Sequence, residues 1–251
     1  MDAQRVVLHA DLDAFFAAFR IPDLLFQLVA AGALSSALVP IVAALDAQGE
    51  RRRAWRVALT LAALLGTALV ALGIVVVVAA PSIVPAITPG FEPRDQATTA
   101  ELTRIMIAAP LFLALGAVAT SVLNAHGRFA ATALAPIFYN LAIIGAAVIV
   151  AVAPSLGVAG LAVGVVVGAA SHLLVQVPAL LRIGFDLRIG IDPTDPQARR
   201  ALVLMAPRAV GLGAGQITFV VLVALASTVS AGGVTAYTFA FTLLQIPVGV
   251  I

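Results

Sequence analysis

The sequence lacks cysteine and lysine, and charged residues make up only 10% of its 251 positions. The lack of cysteine excludes disulfide bonds and thiolate metal sites. All 14 basic residues are arginines and the net charge is only +2, so the pI near 9.9 reflects scarce acid rather than a basic surface for nucleic acid. Soluble domains carry roughly 25% charged residues, so a soluble domain is excluded.

Hydrophobic residues are abundant, at 62% of the chain with a mean hydropathy of +1.13. They form long runs that, at about 1.5 Å per residue, can cross about 30 Å of hydrocarbon. The pattern predicts an all-α, polytopic membrane helical bundle with six full transmembrane helices and the start of a seventh. The predicted spans are residues 14–45, 57–80, 103–125, 129–153, 156–181 and 201–231, followed by a truncated run at 234–251.

Arginines are distributed unevenly among the connections between these spans. Three alternate connections hold nine of them: Arg51, Arg52, Arg53, Arg56, Arg128, Arg182, Arg188, Arg199 and Arg200. The other side has only Arg5, Arg94 and Arg104. By the positive-inside rule, the arginine-rich connections are cytoplasmic and the N-terminus lies outside. We therefore expect a further helix to precede residue 1.

Residues 1–12 form an atypical leader, because the run QRVVLHA is β-branched and does not match the helical character of the residues after it. Residues 8–17, LHADLDAFFA, resemble the opening strand of Y-family DNA polymerases, in which Asp11 would bind catalytic magnesium and Phe16 would lie beside the incoming sugar. A polymerase also needs a second acidic pair and a basic cleft. The chain has no Asp-Glu dipeptide and no lysine, which disfavours this interpretation.

Charged residues and prolines mark the first span. Asp13, Arg20 and Asp23 lie at its beginning, and Pro22 and Pro40 bracket the uncharged part. Ionisable groups at membrane depth usually face a bundle interior or a wet cavity, and each proline removes a backbone donor. We predict a broken helix beside a cavity. The alternative is a charged helix entrance whose side chains extend to the membrane surface.

Small and polar residues in the fifth span predict contacts between helices. Gly160, Gly164 and Gly168 recur at four-residue spacing, which lets two helix backbones approach closely in lipid. His172 and Gln176 are one turn apart and are expected to form hydrogen bonds between helices rather than to bind a ligand.

Five stretches together resemble the MurJ/MviN lipid II flippases of the multidrug/oligosaccharidyl-lipid/polysaccharide exporter superfamily. They occur in the family's order and cover nearly everything after residue 12. The stretches are DAFFAAFRIPDLLFQLVAAGALSSALVPIVAAL from Asp13, TPGFEP at 88–93, LNAHGRFAATALAPIFYN at 123–140, HLLVQVPALLRIGF at 172–185 and MAPRAVGLGAGQI at 205–217.

The resemblance implies two lobes around a central cavity that opens to alternate sides of the membrane. This chain would be the N-terminal lobe, residues 13–231, without the family's first helix and without the C-terminal lobe needed for function. Arginine suits a pyrophosphate because it stays charged and offers a bidentate fork. The expected substrate-binding residues are Asp13, Arg20, Arg208 and Gln216, with Asp13 pairing one of the arginines. The expected gating residues are Pro22, Pro207, Gly211 and Gly215.

The function that the resemblance implies is the flipping of lipid II across the bacterial inner membrane for peptidoglycan synthesis. The protein would be a transporter and not an enzyme, with no cofactor or metal, lipid II and membrane lipid as partners, and no nucleic acid. Known members carry a basic pair at Phe26 and Gln27, an acid at Ala31, and an acid-arginine pair at Phe241 and Thr242. The alternatives are an exporter of another polyprenyl-linked glycan or a drug, or an inactive fragment.

Overall fold

The computed structural model describes residues 3–29 and 33–250, without the side chains of residues 3–10, 28, 29, 33, 208 and 247–250. Within these ranges the chain forms ten α-helices and no strand. The helices are α1 (Ala3–Val29), α2 (Ala33–Ala47), α3 (Arg51–Ile87), α4 (Pro93–Met106), α5 (Ala109–Ala125), α6 (Phe129–Val152), α7 (Gly157–Leu174), α8 (Val177–Arg182), α9 (Pro196–Ser227) and α10 (Gly233–Val250). Short 3-10 turns occupy Pro154–Leu156 and Leu187–Ile189.

Five helical segments of the described chain are long and apolar enough to cross a membrane. They are Arg51–Ile87, Pro93–Ala125, Phe129–Val152, Pro154–Arg182 and Pro196–Ser227. Only 6% of the apolar stretch of α6 is buried inside the protein, so its large hydrophobic side chains face outward. Exposure of these side chains is favourable in lipid and unfavourable in water. The all-α membrane bundle expected from the sequence is confirmed, and the chain is a multi-pass membrane protein.

The predicted leader is not separate from the first helix. α1 begins at Ala3 and continues without interruption past Asp11. Residues 3–10 contain no glycine or proline, and the β-branched Val6 and Val7 lower helix propensity only slightly. The expectation that this run departs from helical structure is therefore wrong. The polymerase resemblance fails for the same reason, because Asp11 lies in a helix and not in a strand.

The boundaries of several spans differ from those predicted. The break expected in the first span is not at either proline, because Pro22 lies inside α1 and Pro40 lies inside α2; residues 30–32, between these two helices, lie outside the described residues. α3 begins at Arg51 rather than at residue 57, because the arginines are good helix formers and follow the turn at Gly49, whose φ is 76°. α9 begins at Pro196, directly after its N-cap Asp195.

Two prolines end helices at positions that follow from their missing N–H group. A proline leaves the carbonyl four residues earlier without its helical donor. α4 ends at Met106, four residues before Pro110, and α7 ends at Leu174, four residues before Pro178. Each proline then lies in the first turn of the next helix, where it is tolerated. The predicted kink near Pro110 is confirmed, whereas the fifth span is interrupted where a continuous helix was expected.

Pro81 and Pro22 lie inside continuous helices, and a side chain from a neighbouring helix approaches the carbonyl that each of them leaves free. Pro81 lies within α3, and the Nε of Arg104 in α4 donates to the carbonyl of Val77, four residues before it, at 3.1 Å. Pro22 lies within α1, and the Thr103 hydroxyl lies 3.5 Å from the carbonyl four residues before it, beside a shorter 2.8 Å bond within its own helix. Lipid offers no hydrogen-bond donor, so such contacts let α3 and α1 continue through their prolines.

The glycine pattern of α7 produces the close helix packing that the sequence predicts, and the structure identifies α6 as the partner helix. A Cβ atom on Gly168 would lie 2.8 Å from the carbonyl oxygen of Tyr139, and one on Gly160 would lie 2.7 Å from the Val150 side chain. Gly164 faces α6 in the same way. Backbone atoms of the two helices therefore pack in direct contact, and any larger residue would force them apart.

The three arginine-rich connections meet at one end of the bundle. The ring of Trp55, in the first turns of α3, lies 5.0 Å from the ring of His126 after α5 and 5.0 Å from the ring of Phe185 after α8. Arg51 also donates to the Ile183 carbonyl at 2.7 Å. The connections that the charge distribution assigns to the cytoplasm thus lie together.

The bond from Arg104 to α3 gives a test of how prolines are accommodated. Arg104→Gln should lower the free energy of unfolding by about 1 kcal/mol, because the Val77 carbonyl loses its donor. In a Pro81→Ala background the restored backbone N–H satisfies that carbonyl, so the same change should cost almost nothing. A double-mutant cycle on thermal unfolding in detergent measures the coupling.

Arg94→Gln, an exposed change on the same helix, is the control and should leave the midpoint unchanged in both backgrounds. If Arg104→Gln lowered the free energy of unfolding equally with and without Pro81, Arg104 would not be compensating for the donor that Pro81 lacks.

Candidate functional site

Asp13, an expected substrate-binding residue, is only 2% exposed and joins α1 to the start of α10. One carboxylate oxygen accepts the Gly232 N–H at 2.7 Å, and the other accepts the N–H and the hydroxyl of Thr235 at 2.7 and 2.6 Å. The open amides of a helix N-terminus carry partial positive charge, which stabilises a carboxylate there. Asp13 does not pair with Arg20, because both carboxylate oxygens are engaged at the start of α10, and the side chain of Arg208, the other expected partner, lies outside the described residues.

A second contact fastens the same end of the bundle. The Gly90 N–H, between α3 and α4, donates to the Ser227 hydroxyl at the end of α9, at 3.2 Å. The two backbones are so close that a Cβ atom on Gly90 would overlap the Ser227 carbonyl group. Together with Asp13, this contact holds α9 and α10 against α1 and α3 at the end opposite the arginine-rich connections. A cavity of about 350 Å³, lined in part by Asp11 and Asp95, opens beside it.

Arg20 lies one to two turns further along α1, among α1, α9 and α10. Its Nη2 donates to the Thr238 hydroxyl at 3.3 Å, and its guanidinium carbon lies 4.1 Å from the centroid of the Phe219 ring. Its Nε is buried and has no hydrogen-bond partner among the described residues. No described carboxylate lies within ion-pair distance of it, although Asp23 follows one turn later on the same helix. The charge of Arg20 is therefore stabilised by an aromatic face, a hydroxyl and the longer-range attraction of Asp23, and one of its donors remains free.

A cavity of about 460 Å³ lies among α1, α2, α5, α6 and α7. Its polar side chains are those of Asp23, Ser35, Thr120, Tyr139 and His172. The rest of the lining is mainly apolar and includes Phe19, Pro22 and Phe26. The described lining residues include one carboxylate and neither arginine nor lysine. The cavity is therefore aromatic and weakly acidic, which favours a cation or a neutral polar group over a phosphate.

Two residues that line this cavity, Thr120 and His172, are hydrogen-bonded to one buried amide. Gln176 is fully buried, accepts the Thr120 hydroxyl at 2.9 Å, and donates to the carbonyls of Gly116 and His172 at 3.3 and 2.9 Å. The absence of a side chain at Gly116 leaves the space that the His172 ring occupies. Gln176 thus satisfies the His172 carbonyl near the break between α7 and α8 and joins this break to α5, which confirms its expected role in hydrogen bonding between helices.

The start of α9 is anchored at the arginine-rich end. The Nε of Arg53 pairs with the buried Asp195 carboxylate at 3.2 Å, and the Asp192 N–H donates to the Thr60 hydroxyl at 2.9 Å. Hydrogen bonds from the hydroxyl and N–H of Thr194 lower the pKa of Asp192. The hydrogen bonds from Thr194 to Asp192 therefore stabilise the folded protein at pH values above the ordinary aspartate pKa. This stabilisation is lost as the pH falls through the lowered pKa of Asp192.

The remaining predicted residues lie on α9, which is continuous from Pro196 to Ser227. Pro207 does not interrupt the helix, and a Cβ atom added to Gly211 or Gly215 would meet no other described atom within 4 Å. Gln216 is half-buried. The side chain of Arg208 lies outside the described residues. Nothing in this helix brings Pro207, Gly211 or Gly215 to Asp13 or Arg20, and their gating role stays a prediction.

The sequence predicted a cavity beside the start of the first span, where Asp23 lies, but it did not identify Tyr139 and His172 as the other polar residues that line it. Asp23 was not among the expected substrate-binding residues, and His172 was expected only to form hydrogen bonds between helices. A signal was available on α1, where Phe19, Asp23 and Phe26 recur at helical spacing and form one stripe. That stripe identifies the α1 wall, but no spacing in the sequence pairs it with α6 and α7.

Comparisons with known proteins agree with this architecture. A family model described as "Lipid II flippase MurJ" matches residues 8–251. The chain belongs to the lipid II flippase MurJ family. Among its relatives, the lipid II flippase MurJ of Burkholderia cenocepacia is 34% identical over 241 residues, which cover 94% of this chain and 47% of the relative. The probable lipid II flippase MurJ of Rhizobium tropici is 32% identical over 249 residues, covering 95% and 46%.

A solved structure entitled "Lipid II flippase MurJ, inward closed conformation" has the same fold, with a TM-score of 0.76 at 22% identity over 96% of this chain and 49% of that chain. The expected MurJ family is confirmed. The chain spans about half the length of the MurJ relatives that it matches.

Several positions that are charged in the MurJ pattern have other roles here. Phe26 lines the cavity, and the Phe241 ring packs edge-on against Phe219 with centroids 4.6 Å apart. The Thr242 hydroxyl donates to the Thr238 carbonyl within α10 at 2.8 Å. The Phe219 ring, which stacks under Arg20, thus packs against the Phe241 ring. The MurJ pattern has an acid at the position of Phe241.

The Asp13 contact gives a second prediction. Asp13→Asn should lower the free energy of unfolding by about 2 kcal/mol, because an amide group cannot accept at both positions and carries no charge toward the α10 terminus. Thermal unfolding in detergent measures the loss, and hydrogen exchange should show weaker protection of the Gly232 and Thr235 amides.

Asp11→Asn is the matched control, since Asp11 lies at the same end of α1 without a described hydrogen bond. If both variants had the same midpoint and the same exchange at the start of α10, the assigned role of Asp13 would be wrong.

Proposed function

We propose that this chain forms the first lobe of a flippase that moves lipid II across the bacterial inner membrane by alternating access, as a step in cell-wall synthesis. Family membership over residues 8–251 supports this proposal. We expect Arg20 to bind lipid II, and Arg208 on α9 is a second candidate for a cationic binding residue.

The chemistry of Arg20 suits a lipid-linked pyrophosphate. An arginine within a membrane-spanning bundle is costly unless another group compensates its charge. Arg20 has a hydroxyl and an aromatic face beside it, no described carboxylate partner, and a free buried Nε. A pyrophosphate would supply the missing negative charge and accept from the planar fork. The polyprenyl tail would remain in lipid beside the bundle.

The contacts at the end opposite the arginine-rich connections provide one of the two closed states that alternating access needs. Asp13 binds the start of α10, and Gly90 binds Ser227 at the end of α9. By the arginine distribution this end faces the periplasm. Release of the cargo outward would require these contacts to break. Pro207, Gly211 and Gly215 are the candidate positions in α9 for the accompanying bend.

Alternation also needs a second body against which this lobe moves. The chain spans about half the length of its relatives, so we expect it to bind lipid II and to translocate lipid II only together with a segment equivalent to the other half. A membrane piece without transport activity is the alternative for the chain by itself.

A different cargo is the second candidate function, and the composition of the 460 Å³ cavity favours it. Its aromatic lining with Asp23 as the carboxylate suits a cationic drug better than a pyrophosphate. Another polyprenyl-linked glycan would in contrast use Arg20 in the same way as lipid II.

Arg20→Ala should weaken the binding of lipid II to the purified chain in nanodiscs by about tenfold or more, since a charge-assisted pair in a desolvated site contributes about 1.5–3 kcal/mol. Arg20→Lys should retain part of the affinity, because the charge remains while the fork is lost. Titration with a fluorescent lipid II measures both.

Arg52→Gln, an exposed change at the arginine-rich end, should leave the affinity unchanged. Binding of a fluorescent cationic drug that depends on Asp23 and not on Arg20 would favour the second candidate. Lipid II affinity that is indifferent to Arg20 would rule out the proposed site.

A further inference from the structure

A groove of about 310 Å³ lies on the outer surface where α6 begins and α8 ends. Two arginines flank it, Arg128 before α6 and Arg182 at the end of α8. Its floor is apolar and includes Leu134, Val175 and Pro178. None of its lining residues belongs to α1, α9 or α10, so the groove is separate from Arg20 and from the proposed cargo site.

The two arginines carry no compensating charge from the described protein. Both are exposed, neither side chain has a described hydrogen bond or ion pair, and the described residues that line the groove include no acidic residue. Elsewhere at this end of the bundle, Arg51 and Arg53 are both paired with carboxylates. The groove is therefore lined by two planar cations whose side chains have no described partner, which suits an anion.

The backbone of α6 adds donors to the same place. Ala130 and Ala131 lie in the first turn of α6 and line the groove, and no side chain caps this helix. The first amides of a helix have no partner within the helix and favour a negative group. An oxyanion between Arg128 and Arg182 would accept from these amides as well.

The surroundings indicate that this anion is attached to a lipid. Below the groove, the exposed face of α6 is apolar, with Ile137 51% and Leu141 55% exposed. The groove lies at the arginine-rich end, near the surface of the cytoplasmic leaflet by the positive-inside rule. A phosphate at the arginines would place acyl chains directly along this face of α6.

We propose that the groove binds the phosphate headgroup of an anionic phospholipid of the cytoplasmic leaflet, with its acyl chains lying along α6. Arg128 and Arg182 supply the charge, and Leu134 and Pro178 contact the glycerol and upper acyl region. The lipid is a resident of the lobe and not its cargo. Its binding is independent of the transport function proposed above.

The test measures which lipid contacts α6. The chain has no cysteine, so Phe138→Cys, one turn beyond Leu134, gives a unique labelling site for a small fluorophore. Quenching by phosphatidylglycerol or phosphatidylcholine with brominated acyl chains then reports the lipid at this site. We expect phosphatidylglycerol to be preferred by about fivefold or more, since each arginine near the surface attracts an anionic lipid. A label at Ile217→Cys, on the exposed face of α9, should show no such preference.

Arg128→Gln with Arg182→Gln should reduce the preference at residue 138 to about twofold or less. Arg52→Gln with Arg199→Gln removes the same charge from the same end, at exposed arginines outside the groove, and should leave the preference intact. Circular dichroism checks that all variants keep their helical content.

Three outcomes would overturn the proposal. The first is a preference unchanged by loss of Arg128 and Arg182, and the second is an equal loss in the Arg52 and Arg199 variant, which would reveal only a general surface charge. The third is a rise in thermal midpoint on adding inorganic phosphate to phosphatidylcholine bilayers that equals the rise with phosphatidylglycerol, which would identify a free-phosphate site.

Discussion

The absence of water in the bilayer is the constraint on which the rest of this structure depends. Inside hydrocarbon, a backbone carbonyl without a donor or a charge without a partner costs several kcal/mol. Proline creates the first problem repeatedly in this chain. The structure resolves it by ending α4 and α7 where the donor is missing, or by bringing Arg104 to the Val77 carbonyl so that α3 continues. The tertiary contacts of the bundle are thus partly dictated by where its prolines lie.

The few charges of the spans follow the same logic. Asp13 is buried, yet both of its oxygens are bound by the open amides of α10. Arg20 is only partly compensated, by Thr238 and by the Phe219 ring. The charge of Asp13 therefore has a structural role, whereas Arg20 has a hydrogen-bond donor left for a ligand. Because both oxygens of Asp13 are engaged at the start of α10, this carboxylate contacts a helix terminus and not Arg20.

The features predictable from the sequence were those that depend on short spacing. Charge-free length predicted membrane-crossing helices, four-residue glycine spacing predicted that α7 packs closely against another helix, and Pro110 predicted a kink. The site was predictable only in part. Arg20 and Asp13 were selected because charge is rare in this chain, but their partners Thr238 and Thr235 lie more than 200 positions away in the sequence. The cavity of Asp23, Tyr139 and His172 joins three helices, and no local pattern relates them.

The sequence by itself determined that this chain crosses a membrane, which end carries the arginines and to which family it belongs, because hydropathy, charge and motif order are properties of neighbouring residues. Only the tertiary structure decided that Asp13 binds α10, that α1 continues through Pro22, and that Arg128 and Arg182 flank one groove without partners. Those outcomes depend on which distant donors and acceptors the packed helices bring within about 3 Å of each other, the distance at which a hydrogen bond forms.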